Sequence, residues 1–91
     1  MYAIIESWND GTNSVEAHTR KTKSQAIRKA MKIISDLLFE GKPKNIAEES
    51  MLALANMNLI AKGRFSDGQP DGFDITVCRV KTTVSTGKSR T

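Results

Sequence analysis

The sequence has very little cysteine and no long apolar run. Cys78 is the single cysteine in 91 residues, which excludes an internal disulfide and is typical of a reducing compartment. No apolar run approaches the roughly 18 residues that a membrane-spanning helix needs. The first residues lack the positive lead and long apolar block of a signal peptide. We therefore expect a cytoplasmic protein without a membrane span.

Catalytic and metal-binding patterns are also scarce. The chain has one histidine, His18, and a nucleophile–base pair with Cys78 would further need an orienting group and an oxyanion site. We expect His18 on the solvent side of a hairpin beside Glu16, and Cys78 as a small apolar strand residue. The sequence therefore predicts neither enzymatic activity, nor a cofactor, nor a bound metal.

Two partial motifs are explained without ligand chemistry. Residues 87–89 spell Gly-Lys-Ser, but a phosphate-binding loop requires glycine at the position where Thr82 stands. Asp67, Asp71 and Asp74 lack the spacing and the terminal glutamate of a calcium loop. Aspartate is common in turns because its side chain bonds nearby backbone amides, so neither motif predicts a binding site.

The segment 22–40 has the strongest periodicity in the chain and predicts an amphipathic helix. Thr22 and Gln25 have capping-box spacing, and Gly41 followed by Pro43 signals the end of the helix. Apolar residues recur at intervals of three and four, which places them on one side: Ala26, Ile27, Ala30, Met31, Ile33, Ile34, Leu37 and Leu38. The opposite side collects Lys21, Gln25, Arg28, Lys32, Ser35, Asp36 and Phe39, with Lys29 on the flank.

Residues 1–19 predict a β-hairpin with a two-residue turn at 10–11, an Asp-Gly pair that favours primed turns. This turn sets Ile4 opposite Ala17. The core side of the hairpin then carries Tyr2, Ile4, Trp8, Val15 and Ala17, and the other side carries Ala3, Ile5, Ser7, Ser14, Glu16 and His18. Glu6, on the core side, is the residue that fits this register least well.

The second half of the sequence predicts another helix and two more strands. Asn45 and Glu48 repeat the cap spacing and open a helix over 46–57. Its predicted inner stripe consists of Ala47, Met51, Leu54 and Ala55, with Leu52 beside it. The stretch 59–65 is compatible with a last helical turn or a strand. We favour a strand over 58–65, because the polar segment 66–72 that follows is typical of a hairpin loop.

The final strand covers 73–80, with Phe73, Ile75 and Val77 on one side. The predicted fold is an α+β two-layer sandwich in the order ββααββ, an antiparallel sheet with both helices on one face. We expect one compact domain over 1–81 and a flexible basic tail over 82–91, which is polar and lacks a core pattern.

Positive charge is concentrated rather than spread along the chain. The net charge is +4, yet the segment 20–34 contains six cations and no acid. A cluster of this kind on one helix face is typical of polyanion binding. The candidate nucleic-acid contacts are Arg20, Lys21, Lys23, Arg28, Lys29 and Lys32, joined by Arg79 and Lys81.

Two functional hypotheses follow. The first is a small non-enzymatic protein that binds RNA, or a nucleoprotein, without reading sequence, since no duplex-reading or RNP-like motif is present. The second is a phage-type inhibitor or antitoxin-like protein that docks directly on a host or defence enzyme such as a nuclease, with Phe39 as a protein contact. An open sheet edge also makes a homodimer possible.

Overall fold

A computed structural model describes residues 1–9, 11 and 14–81 of the chain. The elements are β1 (Tyr2–Trp8), β2 (Val15–Arg20), α1 (Lys23–Phe39), α2 (Ile46–Lys62), β3 (Arg64–Ser66) and β4 (Phe73–Arg79). All strand pairs are antiparallel and the sheet order is β2-β1-β4-β3. The predicted two-layer α+β fold with the order ββααββ is confirmed.

The core lies between the helices and the central strands β1 and β4. Ile4, Ile34, Leu59 and Ile75 are its largest fully buried side chains. Small residues of both helices, such as Ala30 and Ala55, are fully buried as well, which lets the helices approach the sheet closely. Aromatic rings close one end of this core, where Trp8 and Phe65 each pack against Phe73 at centroid distances of 5.4 and 6.3 Å.

The helix α1 forms where the sequence predicts it. The Thr22 hydroxyl accepts a hydrogen bond from the amide of Gln25 at 3.2 Å, which caps the helix start. At the other end Glu40 and Gly41 both have positive φ, and the Gly41 amide donates to the Ser35 carbonyl. The Ser35 hydroxyl in turn donates to the Gly41 carbonyl at 2.9 Å. This bond satisfies the hydroxyl of Ser35, which is buried although the sequence pattern places it on the outer face.

The hairpin register differs from the predicted one by one residue. Ile4 pairs with His18, and Ser7 pairs with Val15, so the connection is longer than a two-residue turn. The Trp8 amide donates to the Ser14 carbonyl, which leaves five residues between them, three of which lie outside the described residues. A one-residue shift exchanges the two faces of a strand. Val15 and Ala17 are therefore exposed on the open face of the sheet.

The helix α2 is longer than predicted, and a different side of it is buried. It continues to Lys62 and ends at Gly63, whose φ is 73°. The predicted strand 58–65 is wrong, since only Arg64–Ser66 forms a strand. The buried side of α2 carries Ala55 and Leu59. Three residues of the predicted inner stripe are exposed instead, namely Ala47, Met51 and Leu54.

Within the described residues, neither helix has the length and apolar character required to cross a lipid bilayer. The predicted tail 82–91, including the Gly-Lys-Ser tripeptide, lies outside those residues.

Candidate nucleic-acid interface

The outer face of α1 carries a continuous row of cations. The side chains of Arg28 and Lys32 are exposed one turn apart, and Lys29 is half-buried beside them. Together with Arg20 and Gln25 they line a shallow concavity of about 410 Å³. Four of the five side chains around this depression are therefore basic, and the fifth is an uncharged amide.

The end of the sheet adds further cations next to the start of α1. Tyr2 pairs with Arg20 on one side and with Arg79 on the other, so the two guanidinium groups flank it on the face that carries the helices. Neighbouring strands lie about 4.8 Å apart, which puts these arginines roughly 10 Å from each other at the backbone. Lys81 follows at the end of the described chain and is exposed. We call the whole set the basic surface: Arg20, Lys21, Lys23, Arg28, Lys29, Lys32, Arg79 and Lys81.

Within the described part of the chain, no acid forms an ion pair with a cation of the basic surface. Among the described residues, the two ion pairs both involve His18, and no lysine or arginine lies within 4.0 Å of a carboxylate. Arg20 donates to the Thr19 carbonyl at 2.6 Å, and Lys23 reaches the Ile60 carbonyl at 3.5 Å. Neutral acceptors of this kind leave the positive charge in place.

The charge distribution along α1 is opposite to the one that stabilises a helix. A helix carries partial positive charge at its N-terminus, so acids are favourable there and bases are favourable in the last turn. The first turn of α1 contains no acid and its last turn contains no base. By contrast, α2 has Glu48 and Glu49 in its first turn and Lys62 in its last. The first turn of α1 therefore lacks the acids that would balance the partial positive charge of its N-terminus.

Phe39 lies on the same side of α1 as Arg28 and Lys32, at the last position of the helix. It is half-buried and lies seven positions after Lys32, which corresponds to roughly 10 Å along the axis. The ring therefore borders the basic surface without lining its concavity. Its role as a protein contact stays a prediction.

The surroundings of His18 differ from the expected ones. In the observed register its side chain lies on the helix side of the sheet, with Nε2 3.8 Å from Glu6 and 3.9 Å from Glu16. Glu6 is buried and accepts a hydrogen bond from the Trp8 indole at 3.3 Å. One ligand atom from each of Glu6, Glu16 and His18 lies within 4.8 Å of the others. Sequence reasoning missed this cluster because it depends on the register.

His18 and Cys78 lie on opposite faces of the sheet. Ile4, the partner of His18, faces the core, whereas Ala3, the partner of Cys78, faces the other side. A nucleophile–base pair between them is therefore excluded. Asp67 acts as a turn residue, since its side chain accepts the amide of Gln69 at 3.0 Å. Asp74 lies in β4 and accepts a hydrogen bond from the Asn9 side-chain amide at 3.3 Å.

Sequence reasoning also missed the outer face of α2. Ile46, Leu54, Met57 and Ile60 are more than half exposed there. Apolar residues around the whole circumference of the helix were the available signal, because a single inner stripe leaves several of them unexplained.

Comparison of the chain with protein-family models, with curated proteins and with solved structures produced no match.

Proposed function

We propose that this protein is a non-enzymatic binding protein whose basic surface engages the phosphate backbone of a nucleic acid, with RNA favoured over duplex DNA. One observation carries the proposal. Arg28, Lys29 and Lys32 of α1 line one concavity together with Arg20, without carboxylate partners among the described residues. Like charges one turn apart, such as Arg28 and Lys32, destabilise a helix, and a bound polyanion offsets that cost.

The proposed contact is electrostatic and independent of base sequence. Each phosphate that the surface neutralises releases condensed counterions, so the affinity falls steeply with salt. The basic surface continues from α1 around the end of the sheet to Arg79. A flexible single strand follows such a curved path more easily than a stiff duplex. None of the helices and strands of the described residues has the pattern of a groove-reading motif, so phosphate contacts would position the protein without reading bases.

The test is the binding of a fluorescently labelled single-stranded RNA, followed by anisotropy over a range of salt concentrations. The double variant Arg28→Glu with Lys32→Glu removes two central cations of the concavity. We expect the salt slope of log K to decrease by about 1.4, since each single-strand phosphate contact contributes about 0.7. Affinity should fall for every RNA sequence by a similar factor.

The matched control is Lys42→Glu with Lys44→Glu, in the exposed connector between the helices. It changes the net charge by the same amount but lies outside the basic surface. We expect its salt slope to equal that of the wild type. Equal losses in both double variants would mean that only net charge matters, and the proposed site would be wrong. No binding by the wild type at low salt would reject the function itself.

A second candidate function is direct docking on a host or defence enzyme, as a phage-type inhibitor or an antitoxin-like protein would do. The uncharged outer face of α2 favours it, because exposed apolar surface of this kind marks protein contacts. Capture from lysate with and without nuclease separates the two candidates. A partner protein retained after nuclease treatment supports docking, and a loss of all bound material supports RNA binding.

A further inference from the structure

The outer face of α2 is an apolar strip that faces water. Its exposed fractions are 81% for Ile46, 64% for Met57, 54% for Leu54 and 53% for Ile60. Small residues fill the spaces between these side chains, and no charged residue occurs anywhere over 50–61. We call these residues the α2 strip: Ile46, Ala47, Ser50, Ala53, Leu54, Met57, Ile60 and Ala61.

A helix at a protein surface is normally polar on its outer side. The neighbouring α1 follows this rule, with basic side chains outside and alanines and isoleucines inside. The α2 strip does not, although it is about 25 Å long by the rise of a 17-residue helix. A groove between the two helices continues from the strip toward α1. It is lined by Ile27, Met31 and Ile60, with Lys23 and Arg28 on its α1 side.

The charges at the ends of the strip are complementary to a reversed copy of the same helix. Glu48 and Glu49 stand at the start of α2, and Lys62 stands at its end. Lys23 of α1 also reaches this end, where its ammonium group contacts the Ile60 carbonyl. Two parallel copies of α2 would set acid against acid and base against base. Two antiparallel copies set each acidic end against a basic end.

The side-chain sizes along the strip agree with the antiparallel arrangement. Ser50, Ala53, Met57 and Ile60 follow one another at intervals of three, four and three, so they form one line on the helix. With a two-fold axis at the height of Ala55, Ser50 faces the partner's Ile60 and Ala53 faces the partner's Met57. Along this line small residues then lie opposite large ones, as close packing requires.

The same axis also brings the charges together. It sets Glu49 beside the partner's Lys23 on the flank that carries α1. Two independent properties, charge and size, therefore select the same pairing. Each surface meets its own copy, which is the condition for a closed two-fold dimer.

We propose that the α2 strip is the interface of a homodimer, in which α2 packs antiparallel against α2 of a second copy of this chain. The two sheets then lie on the outside, with the four helices between them. The interface is distinct from the sheet-edge contact expected from the sequence. It shares only Lys23 with the basic surface, because α2 itself contributes no residue to that surface.

The test is the mass of the nuclease-treated protein in solution, measured by sedimentation equilibrium from about 1 μM to 1 mM. We expect the wild type to have twice the monomer mass of 10.0 kDa at the upper end of this range. Met57→Glu places a charge in the middle of the strip in both copies. It should weaken the dimer at least about 100-fold, since two apolar contacts are lost in each dimer.

Val15→Glu is the matched control, because Val15 is also 64% exposed but lies on the open face of the sheet. The dimer of this variant should be unchanged. Circular dichroism must show equal helix content in both variants. A wild type that stays monomeric throughout the range overturns the proposal and leaves the strip to a different protein. A dimer that Val15→Glu dissociates and Met57→Glu does not also overturns it.

A charge exchange tests the antiparallel direction. Glu49→Lys and Lys23→Glu should each weaken the dimer about five- to tenfold, since each removes two exposed ion pairs per dimer. The double variant should recover most of the wild-type affinity. The two residues lie at opposite ends of the helix pair within one chain, so recovery reports a contact between copies. If the double variant is weaker than both single ones, the antiparallel pairing is wrong.

Discussion

Replacing Leu59 by alanine should destabilise the protein far more than the same replacement at Leu54. Both residues belong to α2, and the chemical change is identical. Leu59 is fully buried in the core, whereas Leu54 is 54% exposed. Truncating a buried leucine costs about 2 to 5 kcal/mol, because the lost transfer free energy is joined by the energy of the remaining cavity.

The expected difference is large relative to the stability of the whole domain. A chain of 91 residues has a free energy of unfolding of roughly 5 to 13 kcal/mol. Leu59→Ala therefore removes a substantial part of it. Leu54→Ala leaves no cavity in the monomer and removes a side chain already half in water, so about 1 kcal/mol or less is expected.

The assay is urea unfolding followed by circular dichroism, with both replacements made in a Met57→Glu background. This background keeps the chain monomeric, because Leu54 belongs to the proposed dimer interface and association would add to its apparent stability. Unchanged m-values would show that the midpoints report stability alone. If Leu54→Ala costs as much as Leu59→Ala in this monomer, α2 is rotated and the described packing is wrong.

Two further predictions concern the helix ends. Gln25→Glu places an acid in the first turn of α1 and keeps the capping-box spacing with Thr22, so it should stabilise the fold by about 0.5 to 1 kcal/mol in urea unfolding at low salt. The same change should weaken RNA binding beside Arg28, and binding and stability that change in the same direction would contradict the dipole argument. Gly63→Ala should destabilise the fold by at least about 1 to 2 kcal/mol, because Gly63 has a φ of 73° and an added Cβ would meet the Val77 carbonyl at 2.9 Å. Thermal unfolding measures this loss, and an unchanged midpoint would show that alanine fits this position without strain.

The two helices show which features of a helix can be predicted from its own sequence pattern. The start, the end and the buried side of α1 follow from signals within the segment itself: the Thr22 cap, the glycine stop and a single apolar stripe. In α2 the stripe is ambiguous because apolar residues surround the helix, so periodicity selects no face. Packing against β3 and α1 decides the question and buries Leu59. The late end at Lys62 had a local signal, a basic residue followed by Gly63, which the favoured strand over 58–65 overrode.

The predicted register of the hairpin was wrong for a different reason. Register is strongly specified only where one face of a strand is buried. Strand β2 lies at the sheet edge, and five of its six residues are exposed, His18 being the exception. Exposing Val15 and Ala17 therefore costs little free energy of burial, so the apolar pattern does not determine the register of β2. The central strand β1 keeps Ile4 and Glu6 on the core side in either register, so the predicted core side of β1 was correct.

By itself, the sequence determined the fold class, the amphipathic α1 and the gathering of cations on one side of it, because caps, turns and periodicity act between neighbours in the chain. Tertiary structure decided which side of α2 meets water, which residues of β2 join Glu6, and that Arg79 approaches Arg20 across the end of the sheet. Those contacts join residues far apart in sequence, and the free energy of burial that selects among them depends on the packed molecule as a whole.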